Sequence, residues 1–390
     1  MRGGIHPLPV VPGELLRARF IERPNRFVVV CETEAGGRVS AHMPNPGRLR
    51  ELFLPGARLL LAAPPKENPA RRPTVVAVLR GVRPVLLHTQ WNNLVARCLL
   101  ERRLVPGWED LEVVRAEVPV GRSRFDFLLH GPGGDMLVEV KSCTLFGAGS
   151  AMFPDAVTER GRRHLLELAE LSRAGRRCGV LFLAHSPDVV RFMPDYHTDP
   201  TFSQTLCAVR DHVEIAPLSL CWRGDLSLDP KRLRMLPVPW AHVERESGDR
   251  GAYWLMLRLD GARTVGVGGL GEVPLKAGHY LYVGSAMRGL EARMARHLRK
   301  RKRFHWHVDY LREAADRAEC LAIRSAAREE CRIAAALGEV MEPGPAGFGS
   351  SDCQCATHLF YSREHPLDRP ETHAVLERFR MAGPPEGDQY

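Results

Sequence analysis

Two acidic residues and a lysine between residues 126 and 141 have the types and spacing of a divalent-metal site. Asp126 stands in the apolar run Arg124-Phe-Asp-Phe-Leu-Leu, and Glu139-Val-Lys141 stands on the next such run. Mg²⁺ takes hard oxygen ligands in an octahedral shell and keeps several waters, which leaves room for a phosphate oxygen. We therefore predict that Asp126 and Glu139 bind Mg²⁺ or Mn²⁺.

Lys141 has the position of a residue that assists an attacking water. Side chains alternate along a strand, so Glu139 and Lys141 share a face, and the ammonium can orient or help deprotonate that water. Only six of the 55 Lys and Arg residues are lysines, so a lysine at this position is unusual for a chain that mostly uses arginine. The pattern favours metal-dependent phosphodiester hydrolysis, with a solvated strand face as the alternative.

A basic helix is predicted directly after these runs, from Ala156 to Arg173. Its apolar stripe consists of Val157, Leu165, Leu168 and Leu171. The residues that lie largely off the stripe are Glu159, Arg160, Arg162, Arg163 and His164. In one interpretation Glu159 completes the metal shell while Arg160 and Arg163 bind phosphates; in the other, this is a solvated basic face.

The elements that position these residues fall into successive segments. Short strand-like runs in residues 13–84 predict a small OB-like β-barrel or a sheet. Its loop from His42 to Arg50 includes Arg48, which either binds phosphate or belongs to a tight turn. Residues 85–235 follow the order α-β-β-β-α-β, which matches the core of restriction-endonuclease-like folds. A linker at 236–250, a further domain at 251–361 and a tail at 362–390 with disordered last residues complete the prediction.

Composition narrows the class of partner. The chain has 390 residues and a formal net charge of +9, which favours an acidic polymer such as DNA. It lacks an apolar run long enough to span a membrane, and its ten scattered cysteines are typical of reduced thiols, so we expect a cytoplasmic protein. There is no P-loop, no Gly-rich dinucleotide turn and no Ser-His-Asp spacing, so a small-molecule enzyme has little support.

Three stretches resemble the sugar fermentation stimulation protein A family. They are Met43-Pro-Asn-Pro-Gly-Arg-Leu49, Val138-Glu-Val-Lys-Ser142 and Phe153-Pro-Asp-Ala-Val-Thr-Glu-Arg-Gly161. The resemblance covers roughly residues 13–235 and implies an OB-like domain, then a PD-(D/E)XK nuclease-like domain, with DNA binding as the associated property. On the matching positions the nuclease site is Asp126, Glu139 and Lys141. The alternative is a non-catalytic regulator of sugar metabolism that keeps nuclease folds as a DNA clamp.

Residues from about 250 to 361 resemble the GIY-YIG-like α+β domains that are sometimes fused to endonuclease III. The matching pieces are Gly251-Ala-Tyr253 and Tyr282-Val-Gly284, followed by Arg293 and His297. The resemblance implies catalytic roles for Tyr253, Tyr282, Arg293 and His297. It also implies that Glu330 binds the metal, with Glu329 as a rival for that position.

A dense basic run follows the second of these motifs. Seven of the eleven residues from 293 to 303 are Arg or Lys. Besides Arg293, they are Arg296, Arg299, Lys300, Arg301, Lys302 and Arg303. Such a density predicts a phosphate-binding surface, with a solvated helix end as the alternative. Trp306 beyond it is predicted either to stack on bases or to join the core.

The last motif contains two cysteines and a histidine, Cys353, Cys355 and His358. Cys-x-Cys is tighter than the two-to-four-residue spacing that is common among structural zinc ligands. From the sequence we therefore favour a buried turn over a zinc site.

Overall fold

The computed structural model describes residues 8–9, 14–64, 68 and 70–384. These residues divide into two compact units. Most of the first unit precedes Ala241, and most of the second follows Trp240. The predicted disorder of the last residues concerns 385–390, which lie outside the described part of the chain.

The first unit begins with a five-stranded barrel. After a short strand β1 (Leu8–Pro9), its strands are β2 (Leu15–Asn25), β3 (Val28–Thr33), β4 (Arg38–His42), β5 (Arg58–Ala62) and β6 (Thr74–Arg80), and β7 (Arg83–Leu86) extends it. The strand order is β4-β3-β2-β5-β6, and a parallel bridge between His42 and Thr74 closes it. Closure leaves no free edge between β4 and β6, and buried Val, Leu and Ala side chains fill the interior. The predicted OB-like barrel is confirmed.

A six-stranded mixed sheet is the main part of the rest of the first unit, together with a separate three-stranded sheet. The elements are α1 (Thr89–Glu101), β8 (Glu112–Val120), β9 (Ser123–Gly131), β10 (Gly134–Cys143), β11 (Leu145–Gly147), β12 (Ser150–Phe153), α2 (Glu159–Arg173), β13 (Arg177–Ala184), β14 (Arg191–Pro194), α3 (Pro200–Val209), β15 (Glu214–Ser219), β16 (Ser227–Leu228) and β17 (Arg234–Met235). The sheet order is β17-β15-β13-β10-β9-β8, with β10, β13 and β15 parallel. Leucines of α1 and α2 belong to separate apolar cores, so the two helices cover different faces. The predicted order α-β-β-β-α-β is present with two additional short strands, β11 and β12, between β10 and α2.

Helix α2 begins three residues later than predicted. Thr158 is its N-cap, and the Thr158 hydroxyl accepts a hydrogen bond from the Gly161 N–H at 3.1 Å. Leu165, Leu168 and Ala169 on the helix are buried against β13, as the apolar stripe predicts. Val157 precedes the cap and is 66% exposed, so it does not belong to the stripe.

The second unit is a five-stranded antiparallel sheet with helices on both faces. Its elements are α4 (Trp240–Glu246), β18 (Gly251–Leu259), β19 (Arg263–Gly266), β20 (Glu272–Leu275), β21 (Gly278–Ala286), α5 (Leu290–Leu298), α6 (His307–Ala314), β22 (Arg317–Arg324), α7 (Glu330–Gly338), β23 (Glu342–Pro343), β24 (Leu359–Ser362) and α8 (Pro370–Arg380). The sheet order is β22-β18-β21-β24-β23. Helices α5 and α6 bury one face, and α7 and α8 bury the other.

Two stretches predicted as irregular contain helices. The predicted linker contains the whole of α4, and Glu246 on that helix accepts a hydrogen bond from the Ala326 N–H at 2.7 Å. The predicted tail holds α8, whose Val375 and Leu376 are buried in the same core as α7. Both helices are short, so neither produced a long apolar period in the sequence. Within the described residues, no helix is long and apolar enough to cross a membrane.

Candidate functional site

Asp126 lies where β9 and β10 separate. The two strands pair up to Phe127 and Val138, and beyond that point the Asp126 side chain occupies the widening gap. Its Oδ2 accepts a hydrogen bond from the Val140 N–H at 2.7 Å, and its Oδ1 accepts one from Asn93 Nδ2 at 2.6 Å. Asp126 is therefore fixed in orientation by the next strand and by α1.

Glu139 is the buried partner of this carboxylate. Its Oε1 accepts hydrogen bonds from Lys141 Nζ at 2.5 Å and from His164 Nδ1 at 2.7 Å. The side chain is 6% exposed, and Oε2 has no hydrogen-bond partner among the described residues. An unpartnered buried carboxylate oxygen is costly, and it is the kind of atom that a metal ion satisfies.

The two carboxylates influence each other's ionisation. Burial, followed by the nearby charge of Glu139, raises the pKa of Asp126 from 3.8 to about 6. Burial also acts to raise the pKa of Glu139, but the hydrogen bonds from His164 and Lys141 outweigh it and lower that pKa below its usual value. At neutral pH the buried Glu139 and the partly buried Asp126 therefore both carry negative charge, which is the electrostatic setting that attracts a divalent cation.

His164 and Asn93 were not predicted to contact the site. His164 was assigned to the solvent-facing side of the helix, but it is 1% exposed and its ring packs edge-on to Phe125. It stands four residues before Leu168, a spacing that puts both on one helix face and that signals its burial. For Asn93, the signal is a pair of asparagines inside a helix, where asparagine is a poor helix former.

Glu159 is not among the described contacts of the carboxylate pair. It is exposed at the first residue of α2, and five helical residues rotate it about 140° from His164, the side chain that faces Glu139. That Glu159 completes the metal shell stays a prediction, which this orientation does not favour. Arg160 lies one turn before His164 on the same face and is exposed, while exposed Arg163 lies 3.6 Å from Glu167. Arg160 keeps the better position for a phosphate.

In the second unit the two tyrosines of the motifs lie close together. Tyr253 on β18 and Tyr282 on β21 are almost fully buried, and their ring centroids are 6.4 Å apart. Burial raises the pKa of Tyr253 well above its usual range, and it raises that of Tyr282 as well. Tyr253 also stacks on His297 at 5.5 Å. A Cβ at position 284 would lie within 3.0 Å of the Tyr253 ring, which explains why the second motif ends in glycine.

Two residues of the basic run form ion pairs with a buried carboxylate. Asp309 is 0% exposed and accepts hydrogen bonds from Arg296 at 3.0 and 3.1 Å, and Lys302 Nζ lies 2.9 Å away. Burial alone would raise the pKa of Asp309, but His297, whose Nδ1 lies 3.4 Å away, and the hydrogen bonds from Arg296 hold it well below the usual range. Both Arg296 and Lys302 stabilise this buried charge, so their predicted binding to nucleic acid stays a prediction that these ion pairs do not favour.

The rest of the run remains open to solvent. Its exposed residues are Arg299, Lys300, Arg301 and Arg303. Trp306 is partly buried and packs on the apolar core, and Arg293 and Arg296 each lie 4.4 Å from its ring. Trp306 was predicted either to stack on bases or to join the core, and the structure shows it packed against the core.

Glu330 and the cysteine motif lie together. Glu330 accepts hydrogen bonds from the Ser285 hydroxyl and from His358 Nδ1, the latter at 3.2 Å. Glu329, its rival for the metal position, instead accepts hydrogen bonds from Arg332 at 2.8 and 2.9 Å. Cys353, Cys355 and His358 are joined by Cys331, which sequence spacing did not connect with them.

Family models match three successive parts of the chain. The matches are an SfsA N-terminal OB domain at residues 21–86, a sugar fermentation stimulation protein RE domain at residues 90–224, and a domain of unknown function, DUF123, at residues 252–381. A sugar fermentation stimulation protein homolog of Methanothermobacter thermautotrophicus is 37% identical over 226 residues, which are 58% of this chain and 94% of the relative. The chain belongs to the sugar fermentation stimulation protein family.

Other members of the family agree with this assignment. The homolog of Desulforamulus reducens is 38% identical over 59% of this chain and 95% of its own length. A solved structure of Pyrococcus furiosus SfsA in complex with Ca²⁺ is similar with a TM-score of 0.54 and 28% identity, over 60% of this chain and 99% of that one. The C-terminal match to DUF123, a GIY-YIG-like domain, agrees with the resemblance of the second unit and extends to residue 381, through α8.

Two of the stretches that identify the sugar fermentation stimulation protein family meet in the structure. The loop at residues 43–49 hydrogen bonds through the Arg48 and Leu49 N–H groups to Asp155 of the other stretch. A Cβ at position 47 would lie within 3.0 Å of the Asp155 carboxylate, so glycine is required there. Arg23 also donates to the Arg48 carbonyl at 2.8 Å. The loop therefore contacts the domain that follows it in the first unit. The Arg48 side chain is exposed.

Proposed function

We propose that the protein binds DNA and hydrolyses its phosphodiester bonds with Mg²⁺ or Mn²⁺ held by Asp126 and Glu139. The observation that carries the proposal is the pairing of partly buried Asp126 with buried Glu139, whose Oε2 has no hydrogen-bond partner among the described residues. The PD-(D/E)XK nuclease-like interpretation of the mixed sheet rests on these residues at the strand ends. The Ca²⁺ complex of Pyrococcus furiosus SfsA supports a divalent-cation site in the family, because Ca²⁺ and Mg²⁺ both take oxygen ligands.

The donors of the site fit a hard cation. Carboxylate oxygens are the ligands that Mg²⁺ and Mn²⁺ prefer, and the described residues around Asp126 and Glu139 place no thiolate among their contacts. When bound there, such a cation supplies Lewis-acid polarisation of a phosphate oxygen. Asn93 and the Val140 N–H hold Asp126 in place, and His164 holds Glu139, so both carboxylates are oriented before substrate arrives.

Lys141 and Arg160 supply the remaining functions. An ammonium has three donors, and the hydrogen bond to Glu139 leaves two for an attacking water or a phosphate oxygen. The Lys141 side chain is 15% exposed, so it is near solvent but protected from it. Arg160, exposed one turn before His164, is placed to contact the phosphate backbone. The barrel adds a second surface, since OB folds bind nucleic acids through their strands and loops.

The test is cleavage of labelled single-stranded, double-stranded and branched DNA by the full chain. The proposal predicts products with Mg²⁺ or Mn²⁺ and none with EDTA. Tight, salt-sensitive binding without products under any metal condition would overturn the hydrolytic part of the proposal. It would instead favour a non-catalytic DNA clamp, whose affinity depends on salt but not on metal.

A further inference from the structure

Four metal-binding side chains converge in the second unit. Cys331 comes from the first turn of α7, and Cys353, Cys355 and His358 come from the segment that leads into β24. One ligand atom from each of these residues lies within 4.8 Å of all the others. All ten cysteines are free thiols, so none of the three is used in a disulfide. Three thiols and an imidazole are the donors of a Cys₃His zinc site.

The ring of His358 is oriented to bind a metal through Nε2. Its Nδ1 lies 3.2 Å from Glu330 Oε1, and its Nε2 lies 3.5 Å from Cys353 Sγ. A carboxylate that accepts from one ring nitrogen fixes the proton there and leaves the lone pair of the other nitrogen free for a metal. Glu330 is itself held by the Ser285 hydroxyl. His358 is almost fully buried, so its ring has little freedom to leave this arrangement.

The spacing of one donor pair, Cys353 and His358, agrees with tetrahedral coordination. With Zn–S near 2.3 Å and Zn–N near 2.0–2.1 Å, a sulfur and a nitrogen bound to one zinc lie about 3.6 Å apart, and two sulfurs about 3.8 Å apart. The Cys353 Sγ to His358 Nε2 distance is 3.5 Å. Hard cations such as Mg²⁺ avoid thiolates, whereas zinc takes sulfur and nitrogen together.

We propose that Cys331, Cys353, Cys355 and His358 bind one structural zinc ion. Four protein ligands close the coordination shell, which is the arrangement of structural rather than catalytic zinc. The ion joins α7 to the segment before β24. Glu330 becomes a positioning residue for His358 rather than a ligand of a catalytic metal. This site is independent of Asp126 and Glu139, so its test does not depend on DNA cleavage.

The first experiment measures metal in the full chain, purified with a non-chelating reductant. Elemental analysis is expected to find one zinc per chain in the parent. Cys331→Ser and Cys353→Ser should lose it, and Cys320→Ser, a thiol of the same unit outside the cluster, should retain it. A zinc-free parent that also takes up none from added Zn²⁺ would overturn the proposal, as would full zinc content in both cluster variants.

A second measurement keeps the proposal testable if the serine variants fail to fold. Replacing zinc with Co²⁺ in the parent should give the ligand-field and thiolate charge-transfer absorption of a tetrahedral sulfur site, and an octahedral spectrum would contradict it. Glu330→Gln should still bind one Zn²⁺ at saturation, with an affinity weakened about 10–100-fold, as expected for a residue that orients a ligand. Unchanged affinity in Glu330→Gln would refute the positioning role.

Discussion

At the scale of single residues, the fold holds the carboxylates of Asp126 and Glu139 near each other at a cost in stability. Asp126 has a raised pKa because it is buried beside the charge of Glu139. Lys141 and His164 donate hydrogen bonds to Glu139 Oε1, but Glu139 Oε2 has no hydrogen-bond partner among the described residues. Such strain is expected where a site is built for a ligand rather than for stability.

Asp126→Asn should stabilise the metal-free protein. A carboxyl whose pKa rises from 3.8 to about 6 on folding favours the fold below pH 3.8, and this contribution is lost as the pH rises through about 6. The ionised group therefore costs up to about 3 kcal/mol above that range. Unfolding in EDTA across a pH series should show Asp126→Asn more stable than the parent at pH 8, with the difference vanishing near pH 4.

The control for this series is Asp110→Asn, an exposed carboxylate of the same unit. It should follow the parent at every pH. Equal stability of Asp126→Asn and the parent at pH 8 would mean that the buried pair does not strain the fold.

At the scale of elements, the loop between β4 and β5 depends on a close approach to Asp155. Gly47→Ala would bring a Cβ within 3.0 Å of that carboxylate and 2.9 Å from Asn45 Oδ1, so it should destabilise the first unit by about 1–3 kcal/mol. Gly37→Ala is the matched control, because its nearest atom would be 3.7 Å away. Calorimetry of the full chain measures both, and equal transition midpoints would contradict the contact.

Sequence patterns predicted the elements better than their contacts. Alternating and helical periods are local, so the barrel strands, β10 and the buried stripe of α2 could be inferred from neighbouring residues. The pairing of His164 with Glu139, the commitment of Arg296 to Asp309 and the approach of Cys331 to Cys353 join residues from separate elements. Such contacts depend on how the elements pack, which a local period does not encode.

At the scale of the whole molecule, the excess of positive charge should act through its exposed part. Arg299→Ala/Lys300→Ala removes two exposed charges of the basic run, whereas Arg296 and Lys302 are used inside the fold. If both removed groups contact phosphates, the slope of log affinity against log salt should fall in magnitude by about 1.8. Fluorescence anisotropy with labelled DNA measures this slope.

Lys231→Ala/Arg232→Ala is the matched control. It removes two exposed positive charges that are adjacent in sequence and belong to the first unit. Its slope should stay at the parental value. An equal decrease of the slope in both double variants would show that DNA affinity depends on net charge alone and not on the basic run.

Single-turnover DNA cleavage by Glu139→Gln in Mg²⁺, with DNA affinity measured in parallel, tests whether Asp126 and Glu139 perform the chemistry. Glu170→Gln, an exposed glutamate on α2, is the control. We predict that Glu139→Gln gives no product and binds DNA as tightly as the parent or slightly more tightly, because a negative charge has left the site, while Glu170→Gln cleaves normally. Cleavage by Glu139→Gln at the parental rate would contradict the assignment of the chemistry to Asp126 and Glu139.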